Sequence, residues 1–318
     1  MLCATVALAG CDATHNPFAG PKTAFDGTAA LAYATKHLEL GPRMPGTAAH
    51  DRAADWIIAQ AKQRADTVIV QRWTQTTRNG TKLGLQNILA RFNPQAQQRV
   101  LYLTHWDTRP TADEDPTLGH RAQPILGAND GAAGVGLFLA LADVFHETPP
   151  AVGVDLLFVD GEDWGDFNAD SSGSAWPDAL FGSQYFASHP SSASYQPLFG
   201  VLFDLIGSED LHLWQEETSR QRAPEVVGRV WSVAKELGYG SYFRDQVGQP
   251  LIDDQVPLLN RGWHVIDVVS WPYGVLPKNA GPFDQPNPPY HHTLEDTIDK
   301  LSARSLQVVG DVAVALVR

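Results

Sequence analysis

Six short runs rich in Val, Ile and Leu fall at 67–73, 83–92, 100–104, 154–159, 201–206 and 265–270, and several of them are apolar without interruption. A strand that alternates apolar and polar residues can face water on one side, whereas a continuously apolar strand must be covered on both. Helix-like stretches at 26–38, 47–64, 131–145, 179–188, 224–237 and 303–317 provide that cover, and most of them alternate with the strands. The pattern predicts an α/β fold with a mixed, largely parallel central sheet and helices on both faces. In sheets of this kind, ligands bind just beyond the carboxyl ends of the strands.

Polar clusters occur at those ends. The run 100–104 is followed by His105-Trp-Asp107, the run 154–159 by Asp160-Gly-Glu-Asp163, and Val201-Leu-Phe203 by Asp204. Asp130 lies in Gly127-Ala-Asn-Asp-Gly131 at the entrance to a predicted helix. Taken singly, Asp130 reads as a helix N-cap, Asp204 as a turn residue, His105 as a hydrogen-bonded core edge and 162–163 as a solvated loop. Their joint placement at strand ends favours a site. Both cysteines, Cys3 and Cys11, precede the folded region, so a metal in the body must be held by imidazole and carboxylate. Asp130, Asp163 and a histidine of the adjacent pair His291 and His292 would supply three ligands. Glu162, next to a ligand in sequence, is suited to act as a general base.

Composition removes some alternatives. With 318 residues, 43% of them hydrophobic, the chain can bury a core of ordinary size. A net charge of -13 disfavours nucleic acid, whose affinity comes from clustered Lys and Arg. No stretch beyond the N-terminus is expected to be apolar for long enough to span a bilayer. The N-terminal run ends in Leu8-Ala9-Gly10-Cys11, which resembles a bacterial lipobox. Residues 1–22 are therefore expected to be a lipoprotein-type signal and linker, with a lipid anchor at Cys11 as the one membrane contact. Residues 23–318 are expected to form a single catalytic domain of a monomeric, exported protein in the periplasm or cell envelope of a bacterium.

An ordered set of motifs resembles the zinc exopeptidase clan, peptidase family M28, which contains bacterial aminopeptidases and the glutaminyl-peptide cyclotransferases. The motifs are Gly41-Pro-Arg-Met-Pro-Gly-Thr47, Asn87-Ile-Leu, Thr104-His-Trp-Asp107, Gly127-Ala-Asn-Asp-Gly-Ala-Ala-Gly134, Phe158-Val-Asp-Gly-Glu-Asp163 and His292-Thr-Leu-Glu-Asp-Thr297. The resemblance implies a phosphorylase/hydrolase-like sheet, zinc ligands Asp130, Asp163 and His292, and Glu162 as base. Three further segments, around 178–187, 203–207 and 252–259, resemble the cyclase branch, bacterial type. There one zinc polarises the γ-amide of an N-terminal glutamine, with Asp204 and Asp253 as hydrogen-bond partners, and the substrate is a peptide or protein N-terminus. In the aminopeptidase alternative, two zinc ions are held, the second by His105 and Asp204, and the N-terminal residue is hydrolysed off. A third alternative is a non-catalytic surface binding protein on the same scaffold. The chain departs from the usual cyclase pattern at His291, where a Trp is common, at Gln255, often His, and at Asp267, His in animal cyclases. Trp164, Trp176 and Trp271 are the aromatics available to replace the missing pocket wall.

Overall fold

The computed structural model describes residues 22–165, 178–271 and 290–318; Cys3, Cys11 and Trp176 lie outside them. The order of elements is α1 (Gly27–Leu38), α2 (Ala48–Lys62), β1 (Thr67–Thr76), β2 (Lys82–Phe92), β3 (Arg99–His105), α3 (Ala133–Glu147), β4 (Gly153–Val159), α4 (Phe181–Ser188), β5 (Phe199–Asp204), β6 (Leu213–Gln215), α5 (Glu217–Arg222), α6 (Pro224–Glu236), β7 (Phe243–Val247), α7 (Gln255–Asn260), β8 (Val265–Val269) and α8 (Ala303–Ala315). Six strands form one mixed sheet in the order β1-β2-β4-β3-β5-β8. Strands β4, β3, β5 and β8 are mutually parallel, and β2 runs antiparallel to both β1 and β4.

The central strands alternate between two apolar layers, as a period of two requires. Val100 and Tyr102 of β3, with Leu156 and Phe158 of β4 and Val201 and Phe203 of β5, face the larger core beneath α1, α2, α3 and α8. Leu101, Leu103, Leu157 and Leu202 face a smaller core that includes Phe186 of α4 and Leu258 of α7. Covering both faces explains why these strands read as unbroken apolar runs.

Helix starts follow their caps. Asp26 accepts from the Thr28 and Ala29 amides at 2.8 and 3.1 Å, Thr47 accepts from the His50 amide at 3.3 Å, and Ser302 accepts from the Arg304 amide at 3.2 Å. Such caps contribute about 1 kcal/mol each. Helix α3 corrects one expectation. The stretch Ala128–Glu147 is long and apolar enough to cross a membrane by composition, but 94% of its most apolar window is buried within the protein. It is a core helix. Its approach to β3 is so close that a Cβ at Gly134 would lie 1.8 Å from Thr104 Oγ1.

The run-and-helix pattern did not reveal β6 and β7, which pair with each other in a small parallel ribbon, nor the short helices α5 and α7. Each is three to six residues long, too short to display a period.

Candidate metal centre and active site

The carboxyl ends of β3, β4 and β5 lie side by side and deliver His105, the 162–163 pair and Asp204 to one place. Asp130 arrives from the turn before α3. Gly131 follows it at φ +98°, and a Cβ there would meet Asp107 O at 2.8 Å, so this turn requires glycine. The Asp130 side chain caps no helix: α3 has no side-chain cap, and the carboxylate turns inward instead. His292 comes from the segment before α8, at the left-handed φ of 49°. Leu205, directly after Asp204, stands at φ 52°. Non-glycine residues in this region carry about 1–3 kcal/mol of strain, which the packed surroundings must hold in place.

Two groups of potential ligands meet at Asp130: Asp130, Asp163 and His292 on one side, and His105, Asp130 and Asp204 on the other. In the first, His292 Nε2 is 3.5 Å from Asp130 Oδ2 and 3.3 Å from Asp163 Oδ1. Asp130 Oδ2 and Asp163 Oδ2 are buried and accept no hydrogen bond among the described residues. Buried carboxylate oxygens without donors are costly unless a cation neutralises them, and two carboxylates plus one imidazole are a donor set that suits a divalent ion such as zinc. In the second group, His105 Nε2 stands 3.2 Å from both Asp130 Oδ1 and Asp204 Oδ1, so one ring nitrogen bridges the two carboxylates. Burial would lower the pKa of His105, but the neighbouring Asp107, Asp130 and Asp204 carboxylates raise it well above the usual range. Asp130 is shifted the other way. Burial raises it, yet the His105 hydrogen bond and charge hold it below the usual range.

Two buried carboxylates organise these groups from behind. Asp107 accepts the Glu162 and Asp163 amides at 3.1 and 3.2 Å, which fixes the turn carrying both side chains. Asp296 accepts the Asn129 and Asp130 amides at 2.9 and 3.1 Å. Arg43, fully buried, donates to the carbonyls of Leu126 and Gly127 and holds the loop ahead of Asp130. His50 meets Asp160 at 2.9 Å and stacks on Trp106 at 4.4 Å beneath the same strand ends. Arg43, Asp107 and Asp296 all lie inside the motifs quoted above; the signal was present, but nothing in one dimension distinguished support from ligand.

A pocket of about 470 Å³ opens over the centre. Its acidic side carries Asp130, Glu162, Asp163, Asp204 and Asp253, and its apolar side carries Leu205, Leu251, Ile252, Val269 and Trp271. Burial, with Asp253, Asp163 and Asp254 nearby, raises the pKa of Glu162 well above an ordinary glutamate, against the opposing His105. Burial and the Asp204 and Asp254 carboxylates do the same for Asp253. Of the aromatics considered, Trp271 lines the pocket and lies edge-on to His291 at 4.9 Å, whereas Trp164 packs against Leu83, Leu85 and Phe181. His291 turns from the three-ligand group to Glu114, with Nδ1 3.1 Å from Oε2. Gln255 is buried at the start of α7 and is not among the residues lining the pocket, and Asp267 is buried on β8 with neither oxygen accepting a hydrogen bond from the described residues.

The sequence profile of peptidase family M28 matches residues 87–317. The chain belongs to this family. Among solved M28-like structures, glutaminyl cyclase from Tannerella forsythia is 35% identical, with a TM-score of 0.83 over 92% of this chain and 98% of that one. A Zn-dependent exopeptidase from Parabacteroides distasonis is 32% identical, with a TM-score of 0.84 over 92% of this chain and 98% of that one. Among curated proteins, the alkaline phosphatase isozyme conversion protein of Escherichia coli is 30% identical over 41% of this chain, and the match spans only 40% of that relative's length. This M28 chain is thus an enzyme of the glutaminyl cyclase and metallo-exopeptidase group, with a mixed α/β fold to match.

Proposed function

We propose that this M28 protein is a glutaminyl-peptide cyclotransferase that converts an N-terminal glutaminyl residue to pyroglutamate and releases ammonia, using one zinc ion held by Asp130, Asp163 and His292. The observation that carries this reading is the asymmetry of the two ligand groups. Among the described residues the first leaves Asp130 Oδ2 and Asp163 Oδ2 without donors, while in the second His105 stands 3.2 Å from both Asp130 and Asp204. One cation completes the site. The likeness to the Tannerella cyclase over nearly the whole chain adds support.

A metal held by Asp130, Asp163 and His292 would supply Lewis-acid polarisation of the substrate amide carbonyl. The acidic residues of the pocket bind the substrate's α-amino group, which reacts as the free amine, and the apolar residues around Leu251 and Trp271 take the methylenes of the glutamine side chain. The α-nitrogen attacks the γ-carbonyl carbon, the new C–N bond closes the five-membered ring, and the bond to the amide nitrogen breaks. Glu162 receives the proton from the α-amine and passes it to the departing nitrogen, which leaves as ammonia. A carboxyl with a raised pKa is suited to both halves of that transfer. Asp253 and Asp204, both on the pocket wall, serve as hydrogen-bond partners of the substrate. Because the reaction is intramolecular, much of the rate derives from positioning.

The second reading, a two-zinc aminopeptidase, rests on the His105, Asp130 and Asp204 group, whose atoms are close enough to hold a second ion. Incubation of zinc-loaded protein with a glutamine-initiated peptide separates the two. Ammonia release with every residue retained supports cyclisation; release of free amino acid sinks it. We further propose export through lipidation at Cys11, which palmitate labelling of the natural host protein and of a Cys11→Ala variant would test.

A further inference from the structure

Arg109, buried just beyond the end of β3, touches two parts of the site at once. Its Nη1 donates to Asp163 Oδ1 at 3.0 Å and to the Gly165 carbonyl at 2.7 Å. Its Nε and Nη2 grip both oxygens of Asp113 at 2.6 and 2.7 Å. Asp113 Oδ1 in turn stands 3.7 Å from His292 Nδ1, while Nε2 of that same ring faces Asp163 Oδ1 at 3.3 Å. His292, Asp163, Arg109 and Asp113 therefore form a closed ring of contacts behind two of the three ligands.

We propose that Arg109 and Asp113 are positioning residues that clamp His292 and Asp163 for the metal; the inference rests on the metal reading given above. A neutral imidazole has one lone pair, and the hydrogen bond at one nitrogen decides that the other carries it. In the clamp Asp113 accepts a hydrogen bond from Nδ1–H of His292, which would leave the Nε2 lone pair on the side of Asp130 and Asp163. The present 3.7 Å exceeds a hydrogen bond by less than about 1 Å, a closure within reach of a small ring rotation. Glu114 is the rival acceptor, with Oε1 3.9 Å from the same nitrogen, but its other oxygen is held by His291. Arg109 occupies one oxygen of Asp163 and so leaves the other, Oδ2, which has no donor among the described residues, available to a metal. The charges also balance. The guanidinium neutralises Asp113, so the clamp adds no net charge to a site in which two ligand carboxylates already match a divalent cation. Only a planar fork can hold Asp113 through two bonds while reaching Asp163 with a third, which distinguishes Arg from Lys here.

The test is the zinc dissociation constant of the metal-stripped full chain, measured by competition with a chromophoric chelator, for the parent, Asp113→Asn, Arg109→Lys and Glu114→Gln. Asp113→Asn and Arg109→Lys are each expected to weaken zinc binding about 10–100-fold, the usual effect of removing an outer partner of a ligand. Asp113→Glu should recover part of that loss. A purely structural role would instead lower the unfolding midpoint of the stripped protein, which the clamp leaves near that of the parent. Zinc binding as tight in Asp113→Asn and Arg109→Lys as in the parent, or a larger loss in Glu114→Gln than in Asp113→Asn, overturns the clamp. A parent that takes up no zinc overturns the metal reading itself, which keeps the two failures distinguishable.

Discussion

On one side of Asp130, Oδ1 meets His105 Nε2 at 3.2 Å, and the same ring nitrogen reaches Asp204 at the same distance. On the other side, Oδ2 faces His292 at 3.5 Å and accepts no hydrogen bond from the described residues. Two carboxylates and an imidazole make up each group. They differ in which oxygens are satisfied: on the His105 side one ring nitrogen stands 3.2 Å from both carboxylates, and on the His292 side Oδ2 of Asp130 and Oδ2 of Asp163 have no hydrogen-bond donor among the described residues. Ligand chemistry is thus decided less by residue type than by which polar atoms are left over once the protein's own hydrogen bonds are made.

The comparison breaks most visibly with His292→Ala. It is expected to abolish stoichiometric zinc uptake and reduce turnover to background, whereas His105→Ala keeps zinc at about one ion per chain. Metal analysis that finds two ions in the parent and one in His105→Ala would make the groups equivalent and favour the aminopeptidase. Next in size is Glu162→Gln, which should lower kcat by about 10²–10⁴-fold with zinc content unchanged. Full turnover in that variant would remove Glu162 from proton transfer. The same residue sets a pH limit. Its pKa is raised, and a base must be ionised to act, so kcat/KM should fall on the acid side at a pH above the ordinary glutamate range. An acid limb at or below that range would show the carboxyl to be unperturbed in the loaded enzyme.

Smallest is an effect on the metal-stripped protein. Burial raises Asp254 to about 7, despite the hydroxyl hydrogen bond from Ser183. The folded state then keeps a proton that the unfolded chain releases near pH 4, so this group's contribution to stability is fully present below about pH 4 and is lost as pH rises toward 7. Asp254→Asn, which preserves a partner for Ser183, should flatten that slope in thermal unfolding of stripped protein between pH 5 and 7.5. An unchanged slope would mean that Asp254 is ionised in the fold.

Much of this was legible in one dimension because buried parallel strands cannot hide their composition. The runs at 100–104, 154–159 and 201–206 had to end somewhere polar, and His105, Asp163 and Asp204 stand at those ends. The bland reading of Asp130 as a helix cap failed because Gly131 at φ +98° breaks the backbone before α3 begins. Other features had no signature. Arg109 and Asp113 look like ordinary loop charges, and nothing in the string His291-His292 shows that one ring turns to Glu114 and the other to Asp130.

The sequence by itself determined the layered α/β architecture, the absence of thiolates from any metal site in the body and the set of acids and imidazoles at the strand ends, because periodicity and residue chemistry are local properties. Tertiary structure alone decided which of those groups carry unsatisfied lone pairs, which carboxylates merely hold backbone amides, and that a single guanidinium ties Asp163 to Asp113. Those outcomes depend on distances between segments far apart in the chain, and a hydrogen bond made or missed at 3 Å leaves no trace in the order of residues.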